Sequence, residues 1–219
     1  LNPYQGSYYS MYGDGASAII TPSSSNLQLG TGDFSIEFFC LPEIGAPASP
    51  NNNVAIGSFV QLGSPGDHGL LVGFGTAAFG ANKFYAYHQV DNSTNLSLVA
   101  SSTSTVGVWH HVVFCRIGTT SSLFVDGVRL ATATDTLNYV ETQFAIGQQA
   151  PTGYGGSQFL GNISNVRICK GTSAYNATSS TITVPTSTLT SVTGTQLLVC
   201  QSNNYTDASA NAFSLTTYN

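Results

Sequence analysis

The sequence predicts an all-β, antiparallel two-sheet sandwich of the jelly-roll type, and three observations carry that prediction. About a dozen short apolar runs, rich in β-branched and aromatic residues, follow one another along the chain, each bounded by Gly, Pro or Asn. No stretch of helical length repeats its apolar residues with the helical period. The dipeptide Asp126-Gly127 separates two apolar runs. It is a strong short-range hairpin signal, because both turn positions need φ > 0 and Asp and Gly tolerate it.

Each element has its own reason. Residues 8–11 and 18–21 read as short strands joined at Gly13-Asp14-Gly15, and residues 22–26 as loop by composition. Residues 34–41 form a strand that places Ile36, Phe38 and Cys40 on one face and Glu37, Phe39 and Leu41 on the other. Both faces are largely apolar, so this strand is central and covered on both sides. Residues 42–53 hold three prolines and three consecutive asparagines, which a central strand does not accept, so they form a loop at a rim. Residues 54–62, 69–75, 83–90 and 96–100 are four short strands. The third alternates, with Phe84, Ala86 and His88 opposite Tyr85, Tyr87 and Gln89. Residues 108–116 alternate as well and lead into the hairpin at Asp126-Gly127. Residues 144–147 end another strand, and the Gly-rich stretch 148–158, with Tyr154 at its middle, is a long loop. Residues 172–195 are Ser/Thr-rich and are expected to wrap the outside, with one helical turn near residues 173–176. Residues 196–201 and 212–215 are late strands that return to pair near the N-terminus.

Composition narrows the partners. Charged residues make up 7% of the chain, against about 25% in an average domain. Five basic residues are scattered in a chain of net charge −5. A nucleic-acid surface needs a clustered positive footprint, and an anionic membrane needs a basic patch, so neither partner is expected. No apolar run approaches the roughly 20 residues of a membrane-spanning helix. The chain starts at Leu1 without an initiator Met or a signal segment, and is expected to be a processed product or part of a longer chain.

Three stretches in order resemble a laminin-G-like, concanavalin A-like domain: Gly32-Asp33-Phe34-Ser35-Ile36-Glu37-Phe38-Phe39, then Trp109-His110-His111-Val112-Val113-Phe114-Cys115-Arg116 with Leu123-Phe124-Val125-Asp126-Gly127-Val128, then Phe159-Leu160-Gly161-Asn162-Ile163-Ser164-Asn165-Val166-Arg167-Ile168. The opening around Asn2-Pro3-Tyr4 and Tyr12-Gly13-Asp14-Gly15, and the tail at Cys169-Lys170-Gly171 and Leu197-Leu198-Val199-Cys200, are similar to the subset of these domains found in virion proteins of tailed phages. The resemblance implies one domain over residues 1–219. It also implies a non-enzymatic module on the virion surface, serving either recognition of a host-surface glycan or decoration of the particle. Other virion proteins and further copies of the chain, in a homo-oligomer, are the expected partners. A cytosolic phage origin implies four buried free thiols rather than disulfides at Cys40, Cys115, Cys169 and Cys200.

The same superfamily includes laminarinase-type glycoside hydrolases, which need two facing carboxylates. The three glutamates, Glu37, Glu43 and Glu141, have no second acid two or four positions away, and the E-x-D-x-x-E pattern is absent. His110 and His111 sit mid-strand, pointing to opposite faces, one buried and one half-exposed. The resemblance raises Ca²⁺ at a loop rim as the one cofactor to consider, with Asp14 and Asp67 as first candidates and Asp33, Asp91 and Asp126 behind them. The family's second acid after Asp14 is missing from Ala16-Ser17-Ala18-Ile19, and turn or strand-entry roles account for Asp126 and Asp33. A glycan site needs exposed aromatic faces beside short polar groups. Tyr154 in its loop and Tyr85 and Tyr87 on a concave face are the candidates, each competing with a role in the core.

Overall fold

Fourteen strands pair into two antiparallel sheets in this computed structural model, which describes residues 3–4, 10–14, 17–43, 53–59, 69–75, 80–90, 93–148, 158–202 and 204–218. The first sheet runs β1 (Met11–Asp14), β12 (Leu160–Lys170), β3 (Phe34–Pro42), β8 (His110–Ile117), β9 (Thr120–Val125) and β10 (Val128–Thr134). β13 (Thr195–Val199) lies on the same side of β12 as β1, further along it. The second sheet runs β14 (Thr216–Tyr218), β2 (Ala18–Ile20), β11 (Gln143–Ile146), β4 (Asn53–Phe59), β5 (Gly69–Gly75), β6 (Lys83–Val90) and β7 (Ser93–Val99). This is a jelly-roll sandwich of the concanavalin A-like type. Among the described residues no helix is long and apolar enough to cross a membrane.

Strand alternation builds the core. Ile36 and Phe38 of β3 and Val112 and Phe114 of β8 meet Ile56, Val72, Phe84 and Phe144 of the second sheet in one buried cluster. Each such side chain contributes roughly 1.5–3 kcal/mol by leaving water. Arg116 continues the inward face of β8 and is fully buried. Its guanidinium donates to the carbonyls of Gly30, Gly32 and Leu137 at 2.7–3.0 Å and to Asp135 Oδ1 at 3.4 Å, and lies 5.1 Å from the ring centres of Phe34 and Tyr139. Every polar direction of the buried cation is therefore answered, and the β3 entry is tied to the loop before β11.

The outer face of the first sheet is covered too, as the two-faced apolar pattern of β3 and β8 requires. Residues 171–194 cross it as an irregular strap. Ala177, Tyr175 and Ile182 pack on Val113, Cys115 and Phe124. Ser122 Oγ donates to the Ala177 carbonyl at 2.7 Å, and the backbone N–H groups of Arg129 and Ile182 bond to Ser180 and Gly127. Gly127, at φ +82°, is pressed under the strap: a Cβ there would lie 2.8 Å from the Ile182 carbonyl oxygen.

Several expectations change in detail. Residues 173–176 form bends rather than a helical turn, because Ser173 Oγ bonds the Tyr175 backbone and Asn176 Oδ1 bonds Thr178, competing with helix. The short 3₁₀ turn is instead at Ser25–Leu27, capped by Ser24. Gly13 and Asp14 belong to β1 rather than to a turn; a Cβ on Gly13 would sit 2.4 Å from the Phe159 carbonyl oxygen, so only Gly permits the approach. The last strand is Thr216–Tyr218, pairing β2, not residues 212–215. Ala212 has φ +46°, and the Asp207 carboxylate binds the N–H groups of Ser209 and Phe213, which holds this stretch in a turn. All four cysteines are buried and unpaired, and burial pushes the Cys115 thiol up to about 12.

Candidate functional site

Trp109 stands at the entry to β8, and the strand sends the next two side chains to opposite faces. His110 turns inward against Phe84, ring centres 5.5 Å apart, and His111 turns outward between Phe39, at 4.7 Å, and Tyr175, at 5.8 Å. Both are buried, so neither is the half-exposed histidine expected from the sequence. Phe39 and the strap close over the outward one.

Asp126 opens the β9–β10 hairpin at φ +50° and turns its carboxylate back across β8. Oδ1 accepts from the His111 backbone N–H at 2.9 Å, and Oδ2 lies 2.6 Å from His110 Nδ1. His110 Nε2 lies 2.8 Å from the Thr105 carbonyl oxygen. Both imidazole nitrogens face oxygen acceptors, an arrangement that favours the protonated ring. Burial pulls the His110 pKa down, but its bonds to Asp126 and Thr105 outweigh that and leave it raised. For Asp126 burial raises the pKa, and the His110 and His111 contacts outweigh it in the opposite direction.

Beneath His111, Glu37 of β3 is fully buried and its carboxylate is fully used. Arg167 Nε donates to Oε1 at 2.6 Å and Nη2 contacts the same oxygen. Tyr175 donates to Oε2 at 2.5 Å, and His111 Nε2 lies 3.3 Å from it. Arg167 Nη1 donates to the Thr190 carbonyl at 2.7 Å, which ties the strap to the sheet.

Above this floor lies an open cavity of about 430 Å³. Tyr4, Phe39 and Trp109 give it aromatic walls, the strap supplies Pro185 and Thr186, and Asp126 faces it with 52% of its side chain exposed. Tyr4 meets Phe39 edge-on, ring centres 5.1 Å apart. The volume falls within the range of small-ligand sites. Aromatic faces beside a carboxylate and a hydroxyl can stack on a C–H-rich ligand face and accept its hydroxyl protons. Asp126 is the one carboxylate among the described lining residues, since Glu37 lies behind the wall and is spent.

A second aromatic surface lies where the free edges of the two sheets meet. Tyr12 of β1, Tyr205 and Tyr218 of β14 are 49%, 38% and 36% exposed around a depression of only about 40 Å³. The Tyr12 hydroxyl donates to Glu43 Oε2 at 3.1 Å.

Only some of the sequence candidates find a place here. Tyr85 is fully buried, packed with Val54 and Leu71 on the outer face of the second sheet. Tyr87 packs against the same cluster, with its hydroxyl 2.8 Å from Thr94 Oγ1. Tyr154, Asp67 and Asp91 lie outside the described residues, and Asp14 stands in β1 opposite Leu160. Asp33 accepts from the Gly118 N–H at 2.8 Å and holds the β8–β9 turn. Among the described residues no group of three His, Cys, Asp or Glu side chains is arranged to hold a metal ion. The sequence reading missed Tyr4, Phe39 and Trp109 as site residues. The one available signal was that Trp109 is the chain's only tryptophan and sits at a strand entry.

A family model described as the concanavalin A-like lectin/glucanases superfamily matches residues 13–174. Among solved structures, a candidate carbohydrate binding protein from Bacteroides ovatus superposes with a TM-score of 0.66 at 13% identity, over 96% of this chain and 58% of that one. This chain thus spans little more than half the length of that protein. Domain 4 of an extracellular arabinanase from Geobacillus stearothermophilus, solved in complex with arabinotriose, gives 0.50 at 16% identity, over 76% of each chain. The enzymatically active domain of tailspike protein 2 of bacteriophage CBA120 gives 0.46 at 13% identity, over 70% of this chain and 24% of that one, a likeness on which no argument rests. No curated protein sequence matches the chain.

Proposed function

Because the chain belongs to the concanavalin A-like lectin/glucanase superfamily, we propose that it is a non-enzymatic glycan-binding module, with residues 1–219 acting as one domain and the Trp109 cavity holding the sugar. The observation that carries this reading is the cavity itself. Three aromatic walls, a half-exposed carboxylate and a hydroxyl surround a space of ligand size over a buried, hydrogen-bonded floor. The arabinanase domain solved with arabinotriose supports it as a domain of like fold beside a sugar. Glycosidase chemistry needs two carboxyl groups flanking the bond to be cleaved, and the described cavity offers one.

The place of the module is a virion surface, where it recognises a host-surface glycan. The support is the sequence resemblance at both ends of the chain to virion proteins of tailed phages. A second reading is particle decoration without a glycan, through contacts with other virion proteins or further copies of the chain. The exposed tyrosines at the free edges of β1 and β14 favour it.

A glycan array probed with the wild-type chain and with Trp109→Ala separates the two. Binding that the substitution lowers at least tenfold supports the cavity. Binding to no glycan, with a stable oligomer in solution, overturns the lectin reading and leaves decoration.

A further inference from the structure

Resting on that reading, we infer that the cavity selects uncharged saccharides and rejects acidic ones carrying carboxylate, sulfate or phosphate groups. The argument is an inventory of cations. The chain has five Lys and Arg residues, and none of them lines the cavity. Arg116 is buried in the core with its donors on carbonyl oxygens and on the Asp135 carboxylate. Arg167, the guanidinium under the floor, is spent on Glu37 and the Thr190 carbonyl. Arg129 donates to the Thr178 carbonyl, Lys170 donates to the Ser25 carbonyl, and Lys83 lies on β6 in the other sheet. Of the two histidines here, His110 turns its ring nitrogens to Asp126 and the Thr105 carbonyl, and His111, which lines the cavity, turns Nε2 to the buried Glu37.

The charged group that faces the cavity is therefore the exposed half of Asp126. Its oxygens already accept one hydrogen bond each, and a carboxylate keeps further lone pairs for hydroxyl donors. A neutral sugar supplies such donors and stacks its C–H face on Trp109. An acidic sugar would bring an anion beside a carboxylate, with no Lys or Arg side chain to meet it.

The test uses pairs of oligosaccharides that differ by one acidic group, such as a sialylated glycan and its desialylated form, titrated calorimetrically against the wild-type chain. The neutral member is expected to bind at least tenfold more tightly. Asp126→Asn keeps a residue that tolerates φ > 0 at the hairpin and is expected to narrow that ratio several-fold. So is raising the salt from about 0.01 M to about 1 M, which shortens the screening length from ~30 to ~3 Å. Thr186→Lys places a cation at the cavity wall without touching the hairpin, and is expected to favour the acidic member. Equal or tighter binding of the acidic member by the wild-type chain overturns the selectivity alone. A ratio that neither substitution nor salt changes also overturns it, by assigning the discrimination to shape. Failure of both members of every pair to bind overturns the glycan reading beneath it.

Discussion

The Trp109 cavity and the tyrosine rim both hold aromatic rings at the surface, yet they stand on different foundations. Beneath the cavity, Glu37 joins three strands and the strap through Arg167, Tyr175 and His111, and the hairpin carboxylate of Asp126 pins two consecutive residues of β8. The rim rests on β1 and β14, strands of four and three residues at the free edges of their sheets. Pre-organised walls lower the ordering cost of holding a small ligand. Short edge strands instead suit contact with another protein surface, where many weak contacts add. Under the proposed function, this difference favours the cavity for recognition and the rim for assembly.

The largest test of that contrast is Glu37→Gln. It leaves Arg167 buried with its counter-charge removed, so about 3–5 kcal/mol of stability is expected to be lost in denaturant titration. The matching change at the rim, Glu43→Gln, touches one exposed hydrogen bond and is expected to cost under ~1 kcal/mol. Equal losses would show that the cavity floor is no better founded than the rim.

Gly127→Ala comes next. A methyl group at φ +82°, close to the Ile182 carbonyl, displaces the strap that carries Pro185 and Thr186. A loss of about 1–3 kcal/mol in stability is expected, together with weaker glycan binding. A variant that melts earlier but binds unchanged would mean that the strap wall takes no part in recognition.

Replacing Tyr12, Tyr205 and Tyr218 together by Ala is expected to leave glycan affinity within about twofold and to weaken any self-association measured by analytical ultracentrifugation. Lost glycan binding would move the site from the cavity to the rim.

The smallest effect is in pH. The raised His110 pKa gives stability that is complete below its unfolded value of 6.5 and is lost as pH rises through the folded value. The lowered Asp126 pKa gives stability that is present above 3.8 and is lost as pH falls through its folded value. The pair therefore helps most between those two limits. The melting temperature is expected to fall slightly as the pH is raised above 6.5, and His110→Gln is expected to flatten that slope. An unchanged slope would leave the Asp126–His110 pair without a part in holding the hairpin.

Much of the sandwich was legible because alternation and punctuation agreed. Residues 69–75 and 83–90 are strands to the residue, and the two apolar faces of β3 anticipated a cover that the strap supplies. The edges were less legible. β14 begins just after the stretch 212–215 where hydrophobicity placed a strand, because the Asp207 carboxylate organises the turn before it, and a single carboxylate leaves no periodic trace. The site was hardly legible at all. Its walls come from Tyr4, Phe39, Trp109, Asp126 and Pro185, which only the strand order β3–β8–β9 and the strap bring together. Tyr85 sits in an alternating strand like an exposed aromatic, and only the tertiary structure shows it covered.

Trp109 supplies its own probe, since no other tryptophan contributes to the fluorescence of the chain. The most direct measurement is a titration with a neutral glycan, followed at once by calorimetry and by tryptophan emission. The account predicts a saturable emission change whose Kd matches the calorimetric one. Calorimetric binding with no change in Trp109 emission, at any glycan concentration that saturates the heat, would contradict it and place the sugar elsewhere.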